Sequence, residues 1–179
     1  MKSNPEKFVC FINGASGVGK STLSDQLKSK YGHRSDIAIL GFDTIGVPTD
    51  QKMTEAHGSP SEWQRFATKQ WIAKILNNVE EPIVILEGQV NFDFIHEAFD
   101  HYNFKNFKAI LINCDEEEML RRLEQDRGQP ELANEDMKNW RAHLRKQAEE
   151  RHAPVINTAG LSGEEVLQKI EEILGKILN

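Results

Sequence analysis

Five short apolar runs alternate along the chain with segments whose apolar residues recur at helical spacing. The runs occupy residues 7–13, 37–41, 83–86, 107–114 and 154–158. Uninterrupted apolar strands of this kind are typical of a parallel sheet that is covered by helices on both faces. The pattern therefore predicts an α/β fold in a single domain spanning all 179 residues, a length that can bury a sizeable core.

Helices are predicted between these strands and after the last one. One follows the first strand, one begins at Ser59, and one surrounds residues 93–99. Others run from 115 to about 127 and from about 134 to 150, and the last begins at Ser162. Segment 46–58 is polar and contains Pro48, so we expect it to be a loop.

The stretch between the first strand and the first helix fills every fixed position of the pattern G-x-x-x-x-G-K-S/T. Its residues are Gly14, Ala15, Ser16, Gly17, Val18, Gly19, Lys20, Ser21 and Thr22. Glycines let successive backbone N–H groups turn inward around phosphate oxygens, and the helix start adds its positive dipole end. In this pattern the lysine places its charge on the β- and γ-phosphates, and the following hydroxyl ligates Mg²⁺. We therefore expect a nucleoside triphosphate at this loop, with Ser21 as a Mg²⁺ ligand.

Two acidic residues stand where predicted strands end, Asp43 after the second strand and Glu87 after the third. The carboxyl ends of parallel strands form one edge of the sheet, and ligands bind there. Asp43 is the preferred general base or hydroxyl-orienting group, because a carboxylate there can accept the proton of an acceptor hydroxyl. Glu87 could hold Mg²⁺ through water or hold the acceptor, and Asp43 could also reach Mg²⁺ through water. The choice of base between the two stays open.

The charge balance narrows the classes of partner. The chain has 22 Lys and Arg against 28 Asp and Glu, a formal net charge of −6, which argues against a nucleic-acid partner or an anionic membrane surface. No apolar run approaches the roughly 18 residues of a membrane span, and the first six residues lack a signal-peptide core. Cys10 and Cys114 lie inside apolar runs, so buried thiols in a reducing cytoplasm are expected. We expect a monomer or homodimer.

At these motifs the sequence resembles the P-loop kinases of nucleotides and small metabolites, which include adenylate, shikimate and gluconate kinases and chloramphenicol phosphotransferase. The phosphate loop carries the resemblance. Residues 40–45 resemble the segment with the catalytic aspartate of the chloramphenicol-type enzymes, 121–128 their helix-to-lid junction, and 155–158 the segment that borders adenine. The resemblance implies a three-layer fold around a five-stranded parallel sheet of order 2-3-1-4-5. It also implies a mobile lid at about 127–134, an acceptor-binding segment at about 43–80, ATP as donor and a small-molecule acceptor.

Two arginines near the expected lid are candidates for stacking on adenine and for neutralising the transferred phosphate, Arg122 and Arg127. Arg122 has Glu118 four residues earlier, an arrangement that also stabilises a helix without any ligand. Arg127 has no acid at that spacing and lies beside Gly128, so it is favoured as the lid residue. Thr158 is expected near the base.

Several classes of P-loop protein fit less well. An Asn-Lys-x-Asp motif for reading guanine is absent, and Glu87 is followed by Gly88 rather than by the second acid expected of a motor or AAA-type ATPase. Between Asp43 and Glu87 there is one arginine, Arg65, with three lysines, a thin supply for an acceptor that carries its own phosphate.

The sequence therefore predicts ATP·Mg²⁺-dependent phosphoryl transfer to a small hydroxyl compound such as a metabolite, a sugar acid or an antibiotic. A nucleoside or nucleotide kinase is the nearest alternative, and a polynucleotide-end kinase is disfavoured by the negative charge. An ATP-binding regulatory module without an acceptor is an alternative of another class.

Overall fold

The computed structural model describes residues 6–178, in which five strands alternate with seven α-helices. The strands are β1 (Phe8–Asn13), β2 (Ile37–Gly41), β3 (Ile83–Gly88), β4 (Phe107–Asn113) and β5 (Val155–Asn157). The helices are α1 (Lys20–Tyr31), α2 (Asp50–His57), α3 (Pro60–Asn78), α4 (Phe92–His101), α5 (Glu116–Arg121), α6 (Glu135–Glu150) and α7 (Gly163–Leu174). The expectation about a signal-peptide core concerns a terminus whose residues 1–5 lie outside the described part of the chain.

All five strands form one parallel sheet of order β2-β3-β1-β4-β5, which confirms the predicted fold class and strand order. The apolar strand β1 lies at the centre of the sheet and is buried along its whole length. Its last residue, Asn13, lies opposite Gly88 of β3, and Glu87 lies opposite Gly41 of β2. The phosphate loop, Glu87 and the residues after Gly41 therefore leave the sheet at the same edge.

Helices cover both faces of the sheet, with α1 packed on α7 and α4 packed on α3 and α6. The long helix α3 begins where the Ser59 side chain accepts a hydrogen bond from the Glu62 amide. Further along this helix, Trp71 is buried and its indole N–H donates a 2.8 Å hydrogen bond to the Phe42 carbonyl oxygen. That bond holds the chain immediately before Asp43 against the core.

Segment 46–58, which was expected to be a loop, contains the helix α2, so that expectation was wrong. The Thr49 side chain caps its start, and Gly58 ends it in a left-handed conformation with φ of 88°. Met53 is the one buried residue of this short helix, so the apolar periodicity that would have indicated a helix is missing.

The helix predicted over 115–127 is also not continuous. Its α-helical part ends at Arg121, and residues Arg122–Asp126 form a π-helical turn. A short 3₁₀ turn, Pro130–Leu132, follows before α6. Within residues 6–178, no helix has the length and apolar character needed to span a membrane.

Candidate functional site

The phosphate loop joins β1 to α1 through two glycines in the left-handed region. Gly17 has φ of 82° and Gly19 has φ of 103°, conformations that strain any residue with a side chain. Gly14 is needed for a different reason, because a Cβ there would lie 2.6 Å from the Ile112 carbonyl oxygen. With α1 starting at Lys20, this backbone fits the nest of N–H groups that binds phosphate at a helix start.

Lys20 lies half-buried in this loop, and its ammonium donates a 2.8 Å hydrogen bond to the Ala15 carbonyl oxygen. Burial lowers the pKa of Lys20 to about 8; the charges of Glu87 and Asp43 raise it and that of Arg127 lowers it further. The charges of these three groups act on one amine. The structure thus brings together four side chains that the sequence had placed on separate segments.

The two candidate carboxylates share the edge of the sheet but differ in exposure. Asp43 is exposed in a 3₁₀ turn, Phe42–Ile45, whereas Glu87 is half-buried at the end of β3. A Cβ at Gly41 would lie 3.4 Å from Oε1 of Glu87, so this carboxylate lies against the end of β2. Burial, followed by the charge of Asp43, raises the pKa of Glu87, and the charge of Lys20 opposes that rise.

A cleft of about 450 Å³ opens beside the phosphate loop. Its lining includes Lys20, Ser21, Arg122, Arg127, Thr158 and Val166. This volume lies in the range of small-molecule and cofactor sites. The cleft therefore joins the phosphate loop, the expected lid arginine and the segment expected to border the base.

Arg122 holds one wall of the cleft through several hydrogen bonds. Its guanidinium donates to Glu118 at 2.6 Å, to the Thr158 hydroxyl at 2.9 Å and to the Thr158 carbonyl oxygen at 3.0 Å. A longer bond of 3.3 Å reaches the Val18 carbonyl oxygen. Glu118 is in turn bonded to Arg121 and Arg122, which lowers its pKa to about 2. Arg122 thus makes the i,i+4 ion pair that its spacing from Glu118 indicated, and it also lines the cleft, while its contact with a nucleotide stays a prediction.

Sequence reasoning missed a polar network that fixes the chain after Glu87. The buried Asn13 side chain donates to the Val90 carbonyl oxygen at 2.6 Å and accepts from the Val90 amide at 2.8 Å. Gln64 binds the Gln89 carbonyl oxygen, and the Gln89 side chain accepts a 3.0 Å hydrogen bond from the Ser16 hydroxyl. A polar residue ending a wholly apolar strand was the available signal for Asn13. The network connects the phosphate loop with α3 and with the segment after β3.

A Mg²⁺ site would depend mainly on water and phosphate oxygens. In residues 6–178, no group of three or more His, Cys, Asp or Glu side chains is arranged to hold a metal ion. The exposed Ser21 at the start of α1 is suited to ligate Mg²⁺ directly, and Asp43 or Glu87 would act through water. This donor set suits Mg²⁺, which keeps several waters and is bound largely through substrate phosphates.

The fold is shared with solved structures of distant sequence. A tunicamycin resistance protein from Deinococcus radiodurans is 18% identical, with a TM-score of 0.63 over 95% of this chain and 96% of that one. A gluconokinase from Sinorhizobium meliloti 1021 is 14% identical, with a TM-score of 0.62 over 99% and 95%. A shikimate kinase from Acinetobacter baumannii, in complex with shikimate, is 17% identical, with a TM-score of 0.57 over 98% and 97%. No curated protein sequence matches the chain.

One family pattern, described as an AAA domain, matches residues 10–141. The match spans the phosphate loop, Asp43, Glu87 and Arg127, and it corrects the expectation that the missing second acid after Glu87 sets the chain apart from AAA-type proteins. The resemblance to P-loop kinases of small metabolites is confirmed by this match together with the kinase structures. The chain belongs to the AAA-domain family and has the fold of the P-loop small-molecule kinases.

Proposed function

We propose that this protein transfers the γ-phosphoryl group of ATP to a hydroxyl group of a small molecule that carries no phosphate of its own. The observation that carries the proposal is that the phosphate loop, Glu87 and Asp43 lie at the carboxyl ends of neighbouring strands, where the charges of both carboxylates act on Lys20. A phosphate cradle alone would serve any nucleotide-binding protein. A phosphate cradle beside two carboxylates supplies what phosphoryl transfer to a hydroxyl needs, namely charge stabilisation and a proton acceptor.

On the donor side, the loop from Gly14 to Thr22 would hold the β- and γ-phosphates. The cleft beside Thr158 and Val166 would take the nucleoside, and Lys20 and Arg127 would neutralise charge on the transferred group. Mg²⁺, held by Ser21 and by water, would offset the negative charge of the phosphates.

On the acceptor side, Asp43 would orient the hydroxyl group and accept its proton. The hydroxyl oxygen forms a bond to the γ-phosphorus, the bond from that phosphorus to the bridging oxygen breaks, and ADP leaves. The exposed position of Asp43 leaves its carboxylate accessible to an acceptor. Glu87, which is half-buried and whose charge acts on Lys20, suits the role of holding Mg²⁺ through water.

The charges of the acceptor segment support an acceptor without a phosphate of its own. The guanidinium of Arg65 lies 2.6 Å from Glu62 and 3.1 Å from Glu97, and the ammonium of Lys69 lies 2.7 Å from Glu97. Lys74 lies over the Trp71 ring, 4.7 Å from its centroid. Two of the four Lys and Arg residues of this segment are thus paired with acids, and only Lys74 and the exposed Lys52 are left to bind an acceptor phosphate. This counts against a nucleotide kinase.

The test is an acceptor screen with ATP and Mg²⁺, covering sugars, sugar acids, nucleosides and hydroxylated antibiotics, with ADP formation as the readout. The Asp43→Asn variant is expected to bind ATP within about twofold of the original protein and to lose about 10²- to 10⁴-fold in acceptor-dependent turnover. Asp25→Asn, at an exposed aspartate of α1 outside the phosphate loop and the cleft, is the matched control and should change neither ATP affinity nor turnover.

Different results eliminate different proposals. Failure of the unaltered protein to bind ATP with Mg²⁺ would eliminate every nucleotide-dependent function. ATP binding without phosphorylation of any acceptor class would favour the regulatory module instead. Unchanged turnover in Asp43→Asn would remove Asp43 from the role of base.

A further inference from the structure

Arg122 and Arg127 both line the cleft beside the phosphate loop, named here the nucleotide cleft, although they are five positions apart in the sequence. In an α-helix each residue advances by about 100° around the axis, so positions five apart point about 140° away from each other. Side chains three or four apart are the ones that meet on one helical face. An uninterrupted α-helix could not present both arginines to one cleft.

The chain solves this problem with the π-helical turn Arg122–Asp126. The amide of Arg127 donates a 3.0 Å hydrogen bond to the carbonyl oxygen of Arg122, five residues earlier. The same widened turn brings together another pair five apart, because the guanidinium of Arg121 donates two hydrogen bonds of 3.1 Å to the Asp126 carboxylate. The two pairs show independently that residues five apart are neighbours here.

Tertiary contacts hold the turn in this register. Leu123 is fully buried, and a Cβ on Gly17 would lie 2.8 Å from its Cγ, so the turn packs directly on the phosphate loop. At the start of the turn, Arg122 is fixed by Thr158 and Glu118. Slipping back to α-helical register would have to move a buried leucine or break the contacts of Arg122. Single-turn π segments of this kind are frequent at functional sites.

We infer that this π-helical turn is a positioning device that turns Arg127 toward the nucleotide cleft, where its guanidinium binds the phosphate oxygens of the nucleotide. The inference rests on the proposed function, since it assumes that a nucleotide is bound. The influence of Arg127 on the ammonium of Lys20 supports the same location for its charge. Arg122 and Arg127 must lie on the same face to reach the cleft together. The π-helical turn places them there although they are five positions apart.

A deletion and an insertion within the turn are therefore expected to have opposite effects. Deleting Gln125, an exposed residue, gives a four-residue spacing, which an α-helix keeps within about 40° of one face. Inserting an alanine after Gln125 gives a six-residue spacing, which an α-helix turns by about 240°. The deletion should keep Arg127 at the cleft even though the helix no longer has a π turn. The insertion should turn Arg127 away from the cleft.

The experiment measures ATP affinity by calorimetry for the original protein, the deletion and the insertion, each with and without Arg127→Ala. Arg127→Ala is expected to weaken ATP binding by roughly tenfold, the size of one charge-assisted contact, in the original protein and in the deletion. In the insertion variant, Arg127→Ala should change the ATP affinity by less than twofold. Gln125→Ala is the control and should match the original protein, and thermal unfolding checks that each variant is folded.

Each result decides a specific point. If the original protein binds ATP and Arg127→Ala does not weaken it, this inference fails while the proposed function stands. The turn does not position Arg127 if Arg127→Ala no longer weakens ATP binding in the deletion variant, or if it still weakens ATP binding in the insertion variant. Should the insertion after Gln125 fail to fold, an alanine inserted after Glu124 creates the same spacing. Absence of ATP binding in the original protein eliminates the proposed function and this inference with it.

Discussion

The hydroxyl of Thr158 donates a 2.7 Å hydrogen bond to the carbonyl oxygen of Val18. This contact joins the residue after β5 to the middle of the phosphate loop, 140 positions away in sequence. The same hydroxyl accepts a hydrogen bond from Arg122, so three separate segments share one buried oxygen. The shape of the phosphate loop therefore depends on tertiary contacts as well as on its own glycines.

Replacing Thr158 by valine should destabilise the protein and weaken ATP binding. Valine keeps the shape but leaves the Arg122 donor without this acceptor and removes a bond to Val18, at a cost of about 1–3 kcal/mol. Urea denaturation gives the free energy of unfolding. Thr54→Val is the control, because its hydroxyl donates to the Asp50 carbonyl oxygen on an exposed helix, and it should cost less than about 0.5 kcal/mol. If both variants lost the same free energy of unfolding, the hydrogen bonds of Thr158 would contribute no more to stability than the exposed one of Thr54.

Replacing Gly17 by alanine should cost more than replacing Gly58, although both glycines have positive φ. Each change forces alanine into the left-handed region, at about 1–2 kcal/mol. At Gly58 no atom lies within 4 Å of the added Cβ, whereas at Gly17 the Cβ would overlap Leu123. The overlap should add about 1–3 kcal/mol to the loss in unfolding free energy measured in urea. If the two variants lose the same free energy of unfolding, the Leu123 side chain moves to accommodate the added methyl group and the π turn is not tightly packed.

The strands and their ends could be predicted from the sequence because each strand is a short, predominantly apolar run. Once β1 and β3 were recognised, the rules for parallel sheets placed the phosphate loop and Glu87 at one edge. The short strand β5 was predicted in the same way. Helix α2 was not, because its burial depends on Met53 alone; Thr49 and Gly58 were the local signals that could have indicated it.

The π-helical turn could not be predicted because its cause lies outside its own sequence. Residues 115–127 read as one helix, and only the packing of Leu123 on Gly17 and the contacts of Arg122 with Thr158 select the wider turn. The hydrogen bonds of Asn13 with Val90 likewise connect positions 77 apart. Assigning roles to Asp43, Glu87, Arg122, Arg127 and Thr158 remains a prediction.

Replacing Ser21 by alanine should reduce the contribution of Mg²⁺ to ATP binding. The measurement is the ratio of ATP affinities with Mg²⁺ and with a chelator. In the original protein Mg²⁺ should strengthen ATP binding. Ser21→Ala should reduce this increase in affinity about tenfold, a loss of the size seen when groups that support metal coordination are removed. Ser29→Ala, at an exposed serine on the same helix, should leave the ratio unchanged. An unchanged ratio in Ser21→Ala would mean that Mg²⁺ is held without this hydroxyl.

The lowered pKa of Lys20 predicts that ATP binds more weakly at alkaline pH. In the free protein, burial lowers this pKa from 10.5 to about 8, with Arg127 adding to the effect and Glu87 and Asp43 opposing it. Bound phosphates would favour the charged amine and raise the pKa again, so binding above pH 8 must take up a proton. Affinity should therefore be constant below pH 8 and fall by up to about tenfold per pH unit above it.

The control for this prediction is Lys20→Arg, because a guanidinium keeps its proton throughout this range. Its overall affinity should be lower, since arginine is bulkier than lysine in a tight loop, but the slope above pH 8 should disappear. Calorimetry at pH 9 in buffers with different ionisation enthalpies should also detect the proton taken up by the original protein. A flat affinity profile up to pH 9.5, or the same slope in Lys20→Arg, would show that Lys20 does not change its charge when the nucleotide binds.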